Sequence, residues 1–188
     1  MVRTFVALLI PPAWGSHLEA LSGNLAARTS GLSWVKSGNL HITLRFLGNL
    51  DEAAVERARA SVAAAASQAS APSARLGPLS AFPNFVRPRV LWVGLSDGAE
   101  AVTALARAVD DALGGAGFGP PDRPFRPHVT LARVRDGAQG LETIRDASVS
   151  EPPPAALLDR VVVMKSDLHP SGSRYTALQE VRLRPPDR

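Results

Sequence analysis

Leu40-His41-Ile42-Thr43-Leu44 and Pro127-His128-Val129-Thr130-Leu131 carry the same pattern, a histidine and a threonine two residues apart in an apolar setting. The histidines lie 87 positions apart in a chain of 188. Both stretches are rich in β-branched residues and alternate in polarity, so both read as strands. Side chains at i and i+2 share a face of a strand. His41 and Thr43 therefore face one way, with Ile42 and Leu44 the other. The same holds for His128 and Thr130 against Val129 and Leu131.

The flanking sequence repeats as well. An apolar run, Phe5 to Ile10, ends 31 residues before His41, and another, Val90 to Leu95, ends 33 before His128. A helical stripe lies between run and histidine in each half. Trp14, Leu18, Leu21 and Leu25 form the first, entered through Pro11-Pro12. Val102, Leu105, Val109 and Leu113 form the second, with Ser96 and Asp97 as capping candidates and Gly114-Gly115 as its stop. A further helix comes after each motif. Asp51-Glu52 opens the first, with its stripe at Val55, Ala58, Val62, Ala65 and Ala69; the second, near 138–147, is shorter. Strands are expected near 75–82 and 90–95, and near 157–168 and 175–183. Glu151–Pro154 reads as a connector.

The unit is strand, helix, histidine strand, helix, strand, written twice. Helical crossovers mixed with hairpins predict an α+β fold with antiparallel sheets. The expected form is a single bilobal domain over 1–188, with motifs at 41–44 and 128–131. A pseudo-two-fold axis would relate two similar lobes with outer helices, leaving a cleft between them.

Two His-x-Thr strands across such an axis bring two imidazoles and two hydroxyls around one point. One neutral imidazole can take a proton while one imidazolium gives one, and histidine populates both states near neutrality. Threonine hydroxyls can donate to phosphate oxygens. No carboxylate adjoins either motif, Asp51 and Asp136 being eight or more residues further on. His17 and His169 complete no metal-ligand spacing, so no metal is expected. No Gly-x-Ser-x-Gly elbow, P-loop or Gly-x-Gly-x-x-Gly occurs.

Composition narrows the classes. Hydrophobic residues make up 45% and charged residues 20%, the balance of a folded domain. The absence of cysteine excludes disulfides, thiolate metal centres and cysteine nucleophiles. Phe5–Ile10 is too short to cross a membrane, and no small-residue cleavage site follows it. A cytoplasmic protein without membrane attachment is expected. The net charge of +4 is uneven: residues 1–94 carry +5 and residues 95–188 carry −1. A basic half suits a polyanion such as RNA, although 19 arginines against two lysines also fit a GC-rich genome.

The paired motifs, extended to Leu40–Gly48 and Phe125–Arg133, resemble the two signatures of the 2H phosphoesterase superfamily. Within it, the chain is similar to the bacterial and archaeal RNA 2′,3′-cyclic phosphodiesterases, also called 2′-5′ RNA ligases. Arg3–Ala7, Phe82-Pro83-Asn84, Arg87–Trp92, Ser166-Asp167-Leu168, Gly172 and Tyr175 extend the likeness over nearly the whole chain. It departs at Phe85-Val86, where the family more often has a polar or basic tip. The resemblance implies metal-free, cofactor-free opening of an RNA 2′,3′-cyclic phosphate end to a 2′-phosphomonoester, tRNA fragments among the substrates, and reversible 2′-5′ joining of RNA ends. It implies His41 as proton donor and His128 as acceptor, an order the near-identical motifs do not set. A monomer is expected.

Other residues carry expectations of their own. Arg133 lies five after His128, an odd offset, so a bulge or strand end must turn it to the catalytic face. The resemblance marks it as a phosphate contact. Arg45, two after Thr43, shares that face on a regular strand and could meet the same phosphate, or pair with an acid at the rim. Phe46 and Phe125 are expected in the core. Phe85, with Arg87 and Arg89 nearby, either stacks an RNA base or tucks into a hairpin tip. Two other readings stay open: a phosphodiesterase for a small cyclic nucleotide, and a non-catalytic RNA-binding module.

Overall fold

The computed structural model describes residues 1–145, 151–169 and 172–186. The fold is α+β. In chain order the elements are β1 (Val2–Leu9), α1 (Pro12–Ala26), β2 (Ser30–Trp34), a 3-10 turn (Ser37–Asn39) and β3 (His41–Leu50). Then come α2 (Glu52–Gln68), β4 (Ser73–Phe82), β5 (Val90–Asp97), α3 (Ala99–Gly115) and β6 (Val129–Gln139). The last are α4 (Glu142–Arg145), β7 (Ala156–Leu157), β8 (Arg160–Asp167) and β9 (Arg174–Arg182).

The strands form one antiparallel sheet in the order β7-β4-β5-β6-β3-β1-β8-β9, with β2 also on β6. Its two halves meet at the motif strands. β3 and β6 pair at Ile42↔Val129, one residue after each histidine. Beyond that point β2 takes over the β6 edge, from Trp34↔Ala132 to Ser30↔Gln139. Each motif strand has its partner from the preceding apolar run, β1 on β3 and β5 on β6. The first half of the sheet therefore joins the two ends of the sequence, and the second is built from its middle.

The helices cover one face. Trp14, Leu18, Leu21 and Leu25 of α1 are all buried, as are Val102, Leu105, Val109 and Leu113 of α3. In α2, Val55, Ala58, Val62 and Ala66 are buried; Ala65 and Ala69 are half-buried. They join Val6, Leu8, Ile42, Leu44, Val129 and Leu131 in a core that runs through both halves of the sheet. Packing these apolar stripes on the inner side of Ile42 and Val129 turns the histidines to the opposite, open face.

The capping differs in part from expectation. Asp51 caps α2, accepting from Ala54 N at 2.7 Å. The cap of α3 is Gly98, at φ +76°, rather than Ser96 or Asp97. Ser96 instead donates to the Leu76 carbonyl, and Asp97 accepts from Gly98 N. Gly114-Gly115 closes α3 as expected, the helix ending at Gly115 with Ala116 as its C-cap. The helix expected near 138–147 shrinks to one turn because β6 continues to Gln139; 146–147 lie outside the described residues. No helix among the described residues is long and apolar enough to cross a membrane.

Candidate active site

The open face at the β3/β6 junction gathers His41, Thr43, His128, Thr130 and Arg133. Each imidazole is held in the same way. His41 Nδ1 lies 2.7 Å from the Asn39 carbonyl, and His128 Nδ1 lies 2.7 Å from that of Arg126. A carbonyl only accepts, so both Nδ1 atoms carry hydrogen, and Nε2 is the nitrogen left for chemistry. The carbonyl sits two residues before the histidine in each motif. His41 Nε2 is 3.0 Å from Thr43 Oγ1. His128 Nε2 makes no corresponding bond to Thr130.

Aromatic rings fix both imidazoles. Phe5 stacks on His41 at 5.0 Å and Tyr175 meets it edge-on at 5.5 Å. Phe82 and Trp92 meet His128 edge-on at 5.2 and 5.6 Å. The partners come from β1 and β9 in one half and from β4 and β5 in the other, so each box closes only when distant strands pair. Burial holds both imidazoles below their ordinary pKa of 6.5. At His41 the Asn39 carbonyl opposes that effect, while the charge of His128 adds to it. At His128 the Arg126 carbonyl opposes, and the Arg126 guanidinium adds.

One irregularity, used twice, decides what else reaches the site. In β6, Leu91↔Ala132 is followed by Trp92↔Thr130, leaving Leu131 as an extra residue. This β-bulge makes Leu131 and Ala132 consecutively buried and returns Arg133 to the face of His128 and Thr130. In β3, Val6↔Arg45 is followed by Ala7↔Thr43, leaving Leu44 extra. Phe46 therefore joins the face of His41, and Arg45 leaves it.

Arg45 is corrected accordingly. Its side chain is buried on the helix side, 3.3 Å from Asp110 of α3 and hydrogen-bonded to the Gly119 carbonyl. It is no phosphate contact, and its acid is under the sheet rather than at the rim. Phe46 is not core either: it is 43% exposed, borders the His41 pocket and has the Arg3 guanidinium 4.5 Å above its ring. Three openings converge on Arg133. A cleft of about 980 Å³ leads from His128 and Thr130 past Phe82, Phe125, Arg89 and Arg123. A pocket of about 330 Å³ holds His41, Thr43, Arg3, Phe5, Phe46 and Tyr175. Beyond it, a groove of about 270 Å³ runs between Lys36 and Arg135. Arg133 borders all three and is exposed.

Phe85 is tucked, half-buried against the core, and lines none of these openings. Arg87 is exposed at the same tip; Arg89, not Arg87, reaches the large cleft. Phe125 packs on the core and also lines that cleft. Among the described residues, no three His, Cys, Asp or Glu side chains cluster as metal donors. Such a site can accept a proton on one side of a bound anion and give one on the other.

Arg3, Phe5, Phe82, Trp92 and Tyr175 belong to the site, yet the sequence marks none of them as such by spacing. They fall in segments similar to the phosphodiesterases, which is the one signal that could single them out.

The chain is similar to known proteins in both sequence and fold. An RNA 2′,3′-cyclic phosphodiesterase of Aquifex aeolicus is 28% identical over 189 residues, covering 97% of this chain and 98% of that protein. One of Aeropyrum pernix is 35% identical over 128 residues, 68% of this chain and 71% of that protein. The crystal structure of a Thermus thermophilus protein superposes with a TM-score of 0.79 at 26% identity, covering 97% of this chain and 98% of that one. The profile of the 2′-5′ RNA ligase superfamily matches residues 10–170, taking in both histidine motifs, the bulge that presents Arg133 and most of the cleft walls, and the chain belongs to that family.

Proposed function

We propose that this protein hydrolyses the 2′,3′-cyclic phosphate end of RNA to a 2′-phosphomonoester by two-histidine acid–base catalysis. The observation that carries the reading is the pair of imidazoles, each with Nδ1–H tied to a main-chain carbonyl, flanking an exposed arginine. His128 Nε2 accepts a proton from water as the water oxygen bonds to phosphorus. The bond from phosphorus to the ribose 3′-oxygen breaks, and His41 Nε2–H protonates that oxygen. The 2′-ester bond stays, so the product carries a 2′-phosphate and a 3′-hydroxyl. Thr43, Thr130 and Arg133 hold the non-bridging oxygens; Arg133 offers a planar fork suited to phosphate. The order of donor and acceptor, the RNA substrate and the independence from metal are parts of this proposal, as is the descent of the bilobal unit from an internal duplication. The curated relatives named RNA 2′,3′-cyclic phosphodiesterase support it.

End-labelled RNA bearing a 2′,3′-cyclic phosphate tests it. The expected product is a 2′-phosphate, formed equally well in EDTA. Replacing either histidine by alanine should cost about 10²–10⁴-fold in rate. A 3′-phosphate product, full dependence on an added divalent ion, or nearly full activity in both single variants would sink the mechanism.

A further inference from the structure

Lys36 and Arg135, in the groove beyond the His41 pocket, have no part in the proposed hydrolysis itself. Lys36 stands at its wall, at the start of the 3-10 turn that leads into the first motif. Arg135 stands opposite, two residues after Arg133 on β6 and thus on the same face. Its Nε donates to Ser33 Oγ at 2.7 Å, which fixes the guanidinium while leaving its terminal nitrogens open to the groove. Asn39 and Ser173 close the floor through a 2.9 Å hydrogen bond from Asn39 Nδ2 to the Ser173 carbonyl. Among the described residues no carboxylate pairs with Lys36, Arg133 or Arg135. Tyr175, the ring that meets His41 edge-on, lines the same groove. Two cations outside the proposed chemistry, Lys36 and Arg135, next to Arg133 at the reacting phosphate, suit the backbone of a single-stranded nucleic acid.

The reaction gives this groove a direction. The leaving 3′-oxygen belongs to the terminal ribose, so the ribose must lie on the side of the proton donor. An in-line attack places the water on the opposite side, with His128. An RNA with a cyclic phosphate end continues only from the 5′ side of that ribose. We propose that the Lys36–Arg135 groove holds the phosphodiester immediately upstream of the reacting one, so that the RNA chain leaves the centre past His41. The inference rests on the proposed hydrolysis, His41 as donor included. The wider cleft of Arg89 and Arg123, on the His128 side, is then left for the attacking group.

The test compares two substrates, an RNA tetranucleotide ending in a 2′,3′-cyclic phosphate and cytidine 2′,3′-cyclic phosphate, which has no upstream phosphodiester. In the intact protein carrying K36A and R135A together, KM for the tetranucleotide should rise about tenfold, as for lost charge-assisted contacts. The dependence of log KM on log salt should flatten by about 0.7 for each phosphodiester released. Turnover of the mononucleotide should not change. R89A with R123A should leave both substrates as they are. Equal losses on both substrates for the Lys36/Arg135 variant, or no loss on either, overturn the proposal. So does a tetranucleotide-specific loss in the Arg89/Arg123 variant, which would run the chain the other way. If the unaltered protein hydrolyses neither substrate, the hydrolysis itself fails first and takes the groove's assignment with it.

Discussion

Past the shared leucine the two motifs part, with Arg45-Phe46 in one and Ala132-Arg133 in the other. The same bulge turns Phe46 and Arg133 toward the cleft, bringing Arg133 to the open face and taking Arg45 off it. Simple alternation would keep Arg45 at the site and remove Arg133. The pattern His-x-Thr-x was legible because it is shorter than the irregularity. The positions past Thr43 and Thr130 were not, because a bulge depends on how the partner strand's register is set, which no local spacing records. Two substitutions separate the roles. Arg133→Ala should leave folding intact and slow hydrolysis by about 10²–10³-fold, the usual loss when a donor aimed at developing charge is removed. Arg45→Ala should do the reverse. It strands Asp110, whose carboxyl pKa is raised by burial and opposed by Arg45, and should lower stability by about 2–3 kcal/mol while kcat per folded molecule holds. Urea denaturation and steady-state kinetics on the two variants check both statements. A destabilised Arg133→Ala with normal kinetics would exchange the assignments.

Elements were legible where their own period sufficed. The stripes of α1 and α3 are buried at every expected position, since a helix that covers a sheet needs one apolar face. The ends of elements were less so. The start of α3 is set not by a polar cap but by close approach of two chain segments. A Cβ on Gly98 would lie 2.2 Å from the Ser73 carbonyl oxygen, and its φ of +76° is costly for any other residue. Gly98→Ala should therefore destabilise the fold by about 2–3 kcal/mol, pushing β4 away from the β5–α3 turn. A thermal melt checks it; an unchanged midpoint would mean that β4 yields there without cost. The aromatic boxes escaped for a different reason. Phe5 and Tyr175 lie on strands that only the sheet order brings close, while Phe82 and Trp92 share the β4–β5 hairpin but meet His128 only once β5 pairs with β6. Their identity as aromatics is visible in the sequence, but the histidine that each pair encloses is not.

At the scale of the whole molecule, the two histidines of the proposed mechanism also bear on stability. Folding buries both imidazoles and lowers both pKa values below 6.5. The unfolded chain binds those protons near pH 6.5, and the folded protein only at lower pH. Between these limits the unfolded state holds more protons, so stability rises with pH. It is fully present above about 6.5 and lost as the pH falls through the folded pKa values. Replacing both histidines by asparagine, which does not titrate, should flatten this slope in urea denaturation between neutral and mildly acidic pH. The same shifts place the rate profile. In the proposed mechanism one imidazole is charged and one neutral, and their mutual repulsion favours that singly protonated pair. The dependence of kcat/KM on pH should be a bell centred on the acid side of 6.5, because the free protein releases its catalytic proton early. A bound phosphodiester brings a negative charge beside both rings and favours the imidazolium. The bell in kcat should therefore lie at higher pH than the bell in kcat/KM. A kcat/KM bell centred well above 6.5, or a kcat bell displaced toward acid, would mean that the burial seen here does not govern the proton that His41 gives.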